Sequence, residues 1–177
     1  MEPMTSCRLI RPTSRLEASH SSLVAEFLAR GEELIPWVLA EVGSSFQRYV
    51  AMLEGYSNGV GLPEGFLPNS TFWLIGDTED IVAVSNLRHE LNDFLRSFGG
   101  HIGFGVRPSA RRQGYATEIL RQTLVEAKDL GIEDILLTCD KQNTGSVKAI
   151  VNNGGRLSEE EYMEAHACVL QRYWIRT

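Results

Sequence analysis

The stretch His101–Leu120, HIGFGVRPSARRQGYATEIL, decides how the rest of the chain is read. HIGFGV alternates and stops before Pro108, so it reads as a strand. The segment His101–Thr117 then carries three arginines and no acid, in a chain whose formal net charge is -6. From Ser109 to Leu130 the spacing predicts the best helix in the chain. Ala116, Ile119, Leu120, Thr123, Leu124 and Ala127 form its apolar stripe, and Gly131 stops it. A helix start leaves backbone N–H groups without partners and carries partial positive charge, and an anion satisfies both. Gly114 permits a tight turn and the close approach of a bulky ligand. Arg111 and Arg112 add charge beside it. The segment ARRQGYAT is thus composed like a pyrophosphate cradle; a plain helix start with solvated arginines is the alternative. The common phosphate motifs do not apply. G-x-x-x-x-G-K-[ST] is absent, and Pro108 occupies the last glycine position of a G-x-G-x-x-G that begins at Gly103.

Length and composition set the frame. A chain of 177 residues with 43% hydrophobic and 23% charged residues suits one globular domain, residues 1–177. The acidic balance speaks against nucleic acid or an anionic membrane as partner. No apolar run approaches the roughly 18 residues of a spanning helix, and MEPMTSCRLIRPTS has no leader pattern. A cytoplasmic protein is expected. Cys7, Cys139 and Cys168 are widely spaced and read as buried thiols, and the four histidines show no metal-ligand spacing, so no metal is expected.

Outward from the opening stretch, CRLIRPT reads as a first strand. Two helical segments follow, Ser14–Arg30 stopped by Gly31, and one through Phe46, Tyr49, Val50 and Leu53 stopped by Gly55. TFWLIG and IVAVSNLR form a hairpin, and NDFLRSF is a short irregular or helical link. After the long helix come a buried strand, DILLTCD, a helix over Asn143–Asn153 stopped by Gly154-Gly155, and one or two closing strands. Residues 31–69 look like a helical and loop insertion. The order β-α-α-β-β-β-α-β-α-β-β predicts an α/β (α+β) fold: one mixed, mostly antiparallel central sheet with helices on both faces.

At Arg111-Arg112-Gln113-Gly114-Tyr115-Ala116 the chain resembles the GCN5-related N-acetyltransferase (GNAT) family. Its signature is R/Q-x-x-G-x-G/A opening a helix after a strand. A second family element, an Asn after the next strand that opens a helix ending in Gly, is matched by Asn143, Ser146 and Gly154. The resemblance covers about residues 101–157 and implies acetyl-CoA as acyl donor. Backbone amides from Arg112 through Gln113, Gly114, Tyr115 and Ala116 to Thr117 would hold the pyrophosphate, with Arg111 beside them. Backbone groups of Phe104 and Val106 would pair with the pantetheine arm as with an added strand. Asn143 and Ser146 would touch the cofactor from the other side. For Asn143 a helix cap is the equal alternative.

The implied reaction is direct attack of a primary amine, on a small molecule, peptide or protein, upon the thioester in a ternary complex. The Val106 N–H would stabilise the oxyanion. His101, near the strand start, is chemically suited to accept the proton. Glu90, in Arg88-His89-Glu90, is the next candidate, or that triplet could bind substrate. Many family members carry a Tyr seven residues after the Asn as general acid; here that position is Ile150. Its loss leaves a rival reading, a non-catalytic acetyl-CoA or CoA sensor. The final strand VLQRYWI, read as an edge, could self-associate into a homodimer.

Overall fold

The computed structural model describes residues 7–177. Met1–Ser6, where the N-terminal stretch inspected for a leader begins, lie outside the described residues.

The chain runs β1 (Arg8–Ile10), α1 (Glu17–Ala29), α2 (Phe46–Ser57), β2 (Asn69–Ile75), β3 (Ile81–Arg88), α3 (Asp93–Ser97), β4 (Ile102–Val106), α4 (Tyr115–Asp129), β5 (Asp134–Asp140), α5 (Thr144–Asn152), β6 (Arg156–Met163) and β7 (Cys168–Arg176). The element order and the α/β class agree with the sequence reading. The sheet needs refining. Its strands form two hydrogen-bonded ladders, β1-β2-β3-β4 and β5-β7-β6, antiparallel at every pairing.

Directly opposed residues of antiparallel strands share a face. Trp73, Val84 and Gly105 therefore look the same way, and Phe72, Ser85 and Phe104 the other. On the first face Trp73 and Val84 pack with Leu23 and Phe27 of α1 and Tyr49 and Leu53 of α2. On the second, Phe72 and Leu87 pack with Leu120 of α4, and Ser85 Oγ meets Thr123 Oγ1 of α4 at 2.7 Å. β2 is buried along its whole length because helices cover both faces. Each large side chain buried in this way contributes roughly 1.5–3 kcal/mol.

Three expectations are corrected. The long helix starts at Tyr115, not Ser109: a 3₁₀ turn at Pro108–Ala110 precedes it, and Arg112 (φ 64°) and Gly114 (φ 87°) are left-handed, which no helix tolerates. α2 runs through Gly55 to Ser57. The final strand is not an edge: β7 lies between β5 and β6, so the homodimer argument built on it loses its basis, and β6 is the outer strand.

Candidate active site

Two glycines bring β4 and β5 together at one end. Gly99 (φ 112°) and Gly100 (φ 61°) turn the chain into β4, and a Cβ on Gly100 would fall 2.4 Å from the Leu136 carbonyl oxygen. There the His101 N–H donates to the Leu136 carbonyl at 2.7 Å, and the Leu136 N–H donates to His101 Nδ1 at 2.9 Å. Beyond this point no ladder joins β4 to β5.

The register fixes what the opened edge presents. Arg88 N–H donates to the His101 carbonyl and Arg107 N–H to that of Val82, both at 2.8 Å. By alternation Gly103 and Gly105 turn their backbone groups toward β3, while Phe104 and Val106 turn theirs toward the β5 side. The Val106 carbonyl accepts from Arg111 Nε at 3.3 Å. Its N–H, and both backbone groups of Phe104, have no partner among the described residues.

The turn after β4 carries a longer run of free donors than a regular helix start supplies. Because α4 begins only at Tyr115, the N–H groups of Arg112, Gln113, Gly114, Tyr115, Ala116 and Thr117 all lack partners among the described residues. Arg112, Gln113 and Gly114 are exposed, and the next three are half-buried. Arg111 is not a free charge. Its guanidinium forms a bidentate pair with Glu32 and lies over the Phe27 ring, 5.4 Å from its centroid. The pair tethers the turn to the segment after α1. The Glu32 carboxyl is held below its usual range, chiefly by the hydrogen bond from Arg111. The free amides and Arg112 suit a pyrophosphate, and the open β4 edge suits a pantetheine chain, so the residues present fit acetyl-CoA.

On the far side of the opening, Asn143 caps α5, its Oδ1 accepting from the Ser146 N–H at 3.1 Å. Ser146 is half-buried. Asn153 Nδ2 donates to the Thr117 carbonyl at 3.0 Å, tying the end of α5 to the first turn of α4. Ile150 is 1% exposed and packs in the core with Leu120 and Leu137.

His101 and Glu90 sit in different surroundings. Glu90 lies exposed beyond the end of β3. His101 is 6% exposed, and burial, aided by Arg96 and Arg88, pushes its pKa down to about 4. With Nδ1 accepting from Leu136, the neutral ring carries its proton on Nε2. The residue expected as base is thereby committed to bracing the junction. His89 Nε2 meets Ser70 Oγ at 2.9 Å, and burial lowers its pKa.

Apart from Arg88, already noted in the Arg88-His89-Glu90 triplet, the sequence reading passed over a polar row. Asn69, Thr71, Asn86 and Arg88 share the face of Gly103. Asn69, Thr71 and Asn86 are at most 2% exposed. The signal was present: polar residues interrupt two strands otherwise made of apolar ones. Glu32 was missed because nothing local marks it as the partner of an arginine 79 positions away.

The model of the acetyltransferase (GNAT) family matches residues 39–152, more than half of the chain. The chain belongs to that family. It is an acetyltransferase. Among solved structures it resembles RimL, the ribosomal L7/L12 alpha-N-protein acetyltransferase in complex with coenzyme A, with a TM-score of 0.67, 16% identity and coverage of 98% of this chain and 96% of that one. The microcin C7 self-immunity acetyltransferase MccE, in complex with acetyl-CoA and AMP, gives a TM-score of 0.67, 14% identity and coverage of 97% and 92%. A GNAT-family acetyltransferase from Bacillus anthracis gives 0.61, 17%, and 97% and 96%. At such identities these likenesses speak for the fold alone. None of the curated proteins matches. No helix among the described residues is long and apolar enough to cross a membrane.

Proposed function

We propose that the protein is an N-acetyltransferase that moves the acetyl group of acetyl-CoA to a primary amine of a small molecule, peptide or protein, by direct attack in a ternary complex. The observation that carries this reading is the run of unpartnered N–H groups from Arg112 to Thr117 beside an open β4 edge. Those amides hold the pyrophosphate, with Arg112 adding charge and Arg111 shaping the turn through Glu32. Phe104 and Val106 hold the pantetheine arm, and the Val106 N–H faces the thioester oxygen as it gains charge. Ser146 and the free Nδ2 of Asn143 border the thiol end. The amine must lose a proton, since an alkylamine has a pKa of roughly 10.4 in water. Glu90, exposed and two positions past Arg88, passes that proton to solvent, while His101 positions the strands.

The thiol leaves without the usual tyrosine. Thiolates are adequate leaving groups, with a cysteine-like pKa of roughly 8.5, so water suffices as proton source. The buried Ile150 also favours a second reading, a CoA-binding sensor.

The test is release of free thiol from acetyl-CoA across a panel of amines, beside calorimetric binding of acetyl-CoA. Gly114→Val should weaken cofactor binding at least about 10-fold, because a β-branched residue is strained at φ 87° and crowds the amides. Binding without thiol release from any amine supports the sensor. Unchanged affinity in Gly114→Val overturns the cradle.

A further inference from the structure

Four arginines of the described chain are not exposed: Arg88, Arg107, Arg111 and Arg172. Three have carboxylate partners. Arg107 pairs with Glu26, Arg111 with Glu32, and Arg172 with Glu159 and Glu161. Arg88 alone has none among the described residues. Its Nη1 donates to the carbonyls of Gly99 and Gly100 at 3.2 and 3.3 Å, and its Nε and Nη2 make no hydrogen bond there. A half-buried guanidinium without a counter-charge, with donors still open to solvent, is placed to meet an anion that comes from outside. Burial lowers the Arg88 pKa to about 10, and no acid offsets it.

Its position gives the vacancy of charge a purpose. A Cβ on Gly103 would lie 3.6 and 3.7 Å from Arg88 Nη1 and Nη2 and 3.7 Å from Pro36 Cβ. The guanidinium therefore sits over the strand whose free edge fits the thioester arm, on the face walled by Ile35 and Pro36. Beside it, Asn86 Nδ2 turns to Asn69 Oδ1 at 2.6 Å and Thr71 Oγ1 at 3.2 Å. Its Oδ1 is buried without a partner. A half-buried cation and a buried, unmatched acceptor thus lie next to a strand position that has no side chain.

We infer that Arg88 selects the acyl acceptor by its carboxylate: the substrate is a small amine bearing a carboxylate group, bound over Gly103 with the carboxylate on the Arg88 guanidinium. The inference rests on the acetyltransferase reading and narrows its acceptor class. A bidentate guanidinium–carboxylate pair is strong and directional. It also explains how an acidic protein holds an anionic substrate, through one local positive group rather than its overall field.

The test pairs amino acids and dipeptides with the amines left when their carboxylate is removed, using thiol release and calorimetry on the CoA-loaded protein. The carboxylate-bearing member of each pair should be favoured in kcat/KM by at least about 10-fold, the worth of one charge-assisted pair. Amino acids favoured over dipeptides place the carboxylate next to the amine; the reverse order places it farther off. Arg88→Gln should erase the preference mainly through KM and leave acetyl-CoA affinity unchanged, and Arg88→Lys should restore part of it. Gly103→Ala, whose added methyl makes only ordinary contacts, should raise KM about 10-fold with an unchanged melting temperature, which guards against an Arg88 variant that fails to fold. Turnover without preference for the carboxylate overturns this inference and leaves the acetyltransferase standing. Arg88-dependent binding of amino acids with no turnover does the opposite.

Discussion

His101 and Leu136 exchange two hydrogen bonds, N–H to carbonyl at 2.7 Å and N–H to Nδ1 at 2.9 Å, and this pair is the hinge at which the two ladders meet before they part. The ring must stay unprotonated at Nδ1 for the second bond to form. That requirement links the opening of the cofactor edge to pH.

His101 and His20 both have pKa values pushed down to about 4 by burial, against about 6.5 for a solvated histidine. Between those values the unfolded chain binds the extra protons. The stability held by the two neutral rings is complete above pH ~6.5 and is lost as pH falls toward 4. Each ring contributes a slope of up to about 1.4 kcal/mol per pH unit. His101→Asn, whose side-chain oxygen can still accept from Leu136, should flatten the acid limb by that amount in urea unfolding at pH 6 to 4.5. An unchanged slope refutes the assignment.

Arg112 holds a left-handed backbone at φ 64°. A non-glycine residue there costs about 1 kcal/mol or more. Arg112→Gly should raise the melting temperature by about 2–4 °C while weakening acetyl-CoA binding a few-fold, most clearly at low salt. A melting temperature that falls would show that the arginine contributes stability through contacts rather than strain.

Gly105 and Gly103 lie two positions apart on one face of β4 but differ in clearance. A Cβ on Gly105 would come 2.0 Å from the Ile35 carbonyl oxygen, a main-chain atom that cannot rotate aside. Gly105→Ala should cost about 2 kcal/mol or more by displacing the Ile35–Pro36 wall, whereas Gly103→Ala should stay within about 0.5 kcal/mol. Chemical denaturation of both variants checks this, and equal costs would refute it.

Ile150→Tyr does not rebuild the missing acid. The Ile150 side chain is sealed in the core against Gly155, where even a Cβ would fall 2.3 Å from its Cγ2. The larger ring should lower stability by about 1–3 kcal/mol and leave the single-turnover rate no higher than that of the parent. A faster variant would mean that the position opens toward the thiol after all.

Much of this was legible from the residues. The apolar stripe of α4 and the glycines around it located the helix and the turn before it, because local periodicity and left-handed positions are written in single residues. The start of α4 was not legible. Arg112 adopts a glycine-like conformation that its side chain does not advertise, so the periodicity ran the helix back to Ser109 although the resemblance already marked the amides from Arg112 to Thr117. The place of β7 was equally hidden, since alternation tells which face a residue takes but not which strands lie to either side. His101 was noticed for its chemistry, and only the crossing of Leu136 reveals that its lone pair is already engaged. The weight of Arg88 needed the carboxylates to be absent in space, a property no spacing records.

The outer position of β6 has a consequence for how the molecule behaves in a crowd. Its exposed border presents Glu159, Glu160 and Glu161 in succession. An identical border laid alongside would stack carboxylate against carboxylate, so at neutral pH the strand is guarded against templated fibrillar growth. Acid works against the fold behind that border, because the neutral-histidine brace gives way as pH falls. Storage at low pH should therefore leave this protein more prone to gel or precipitate.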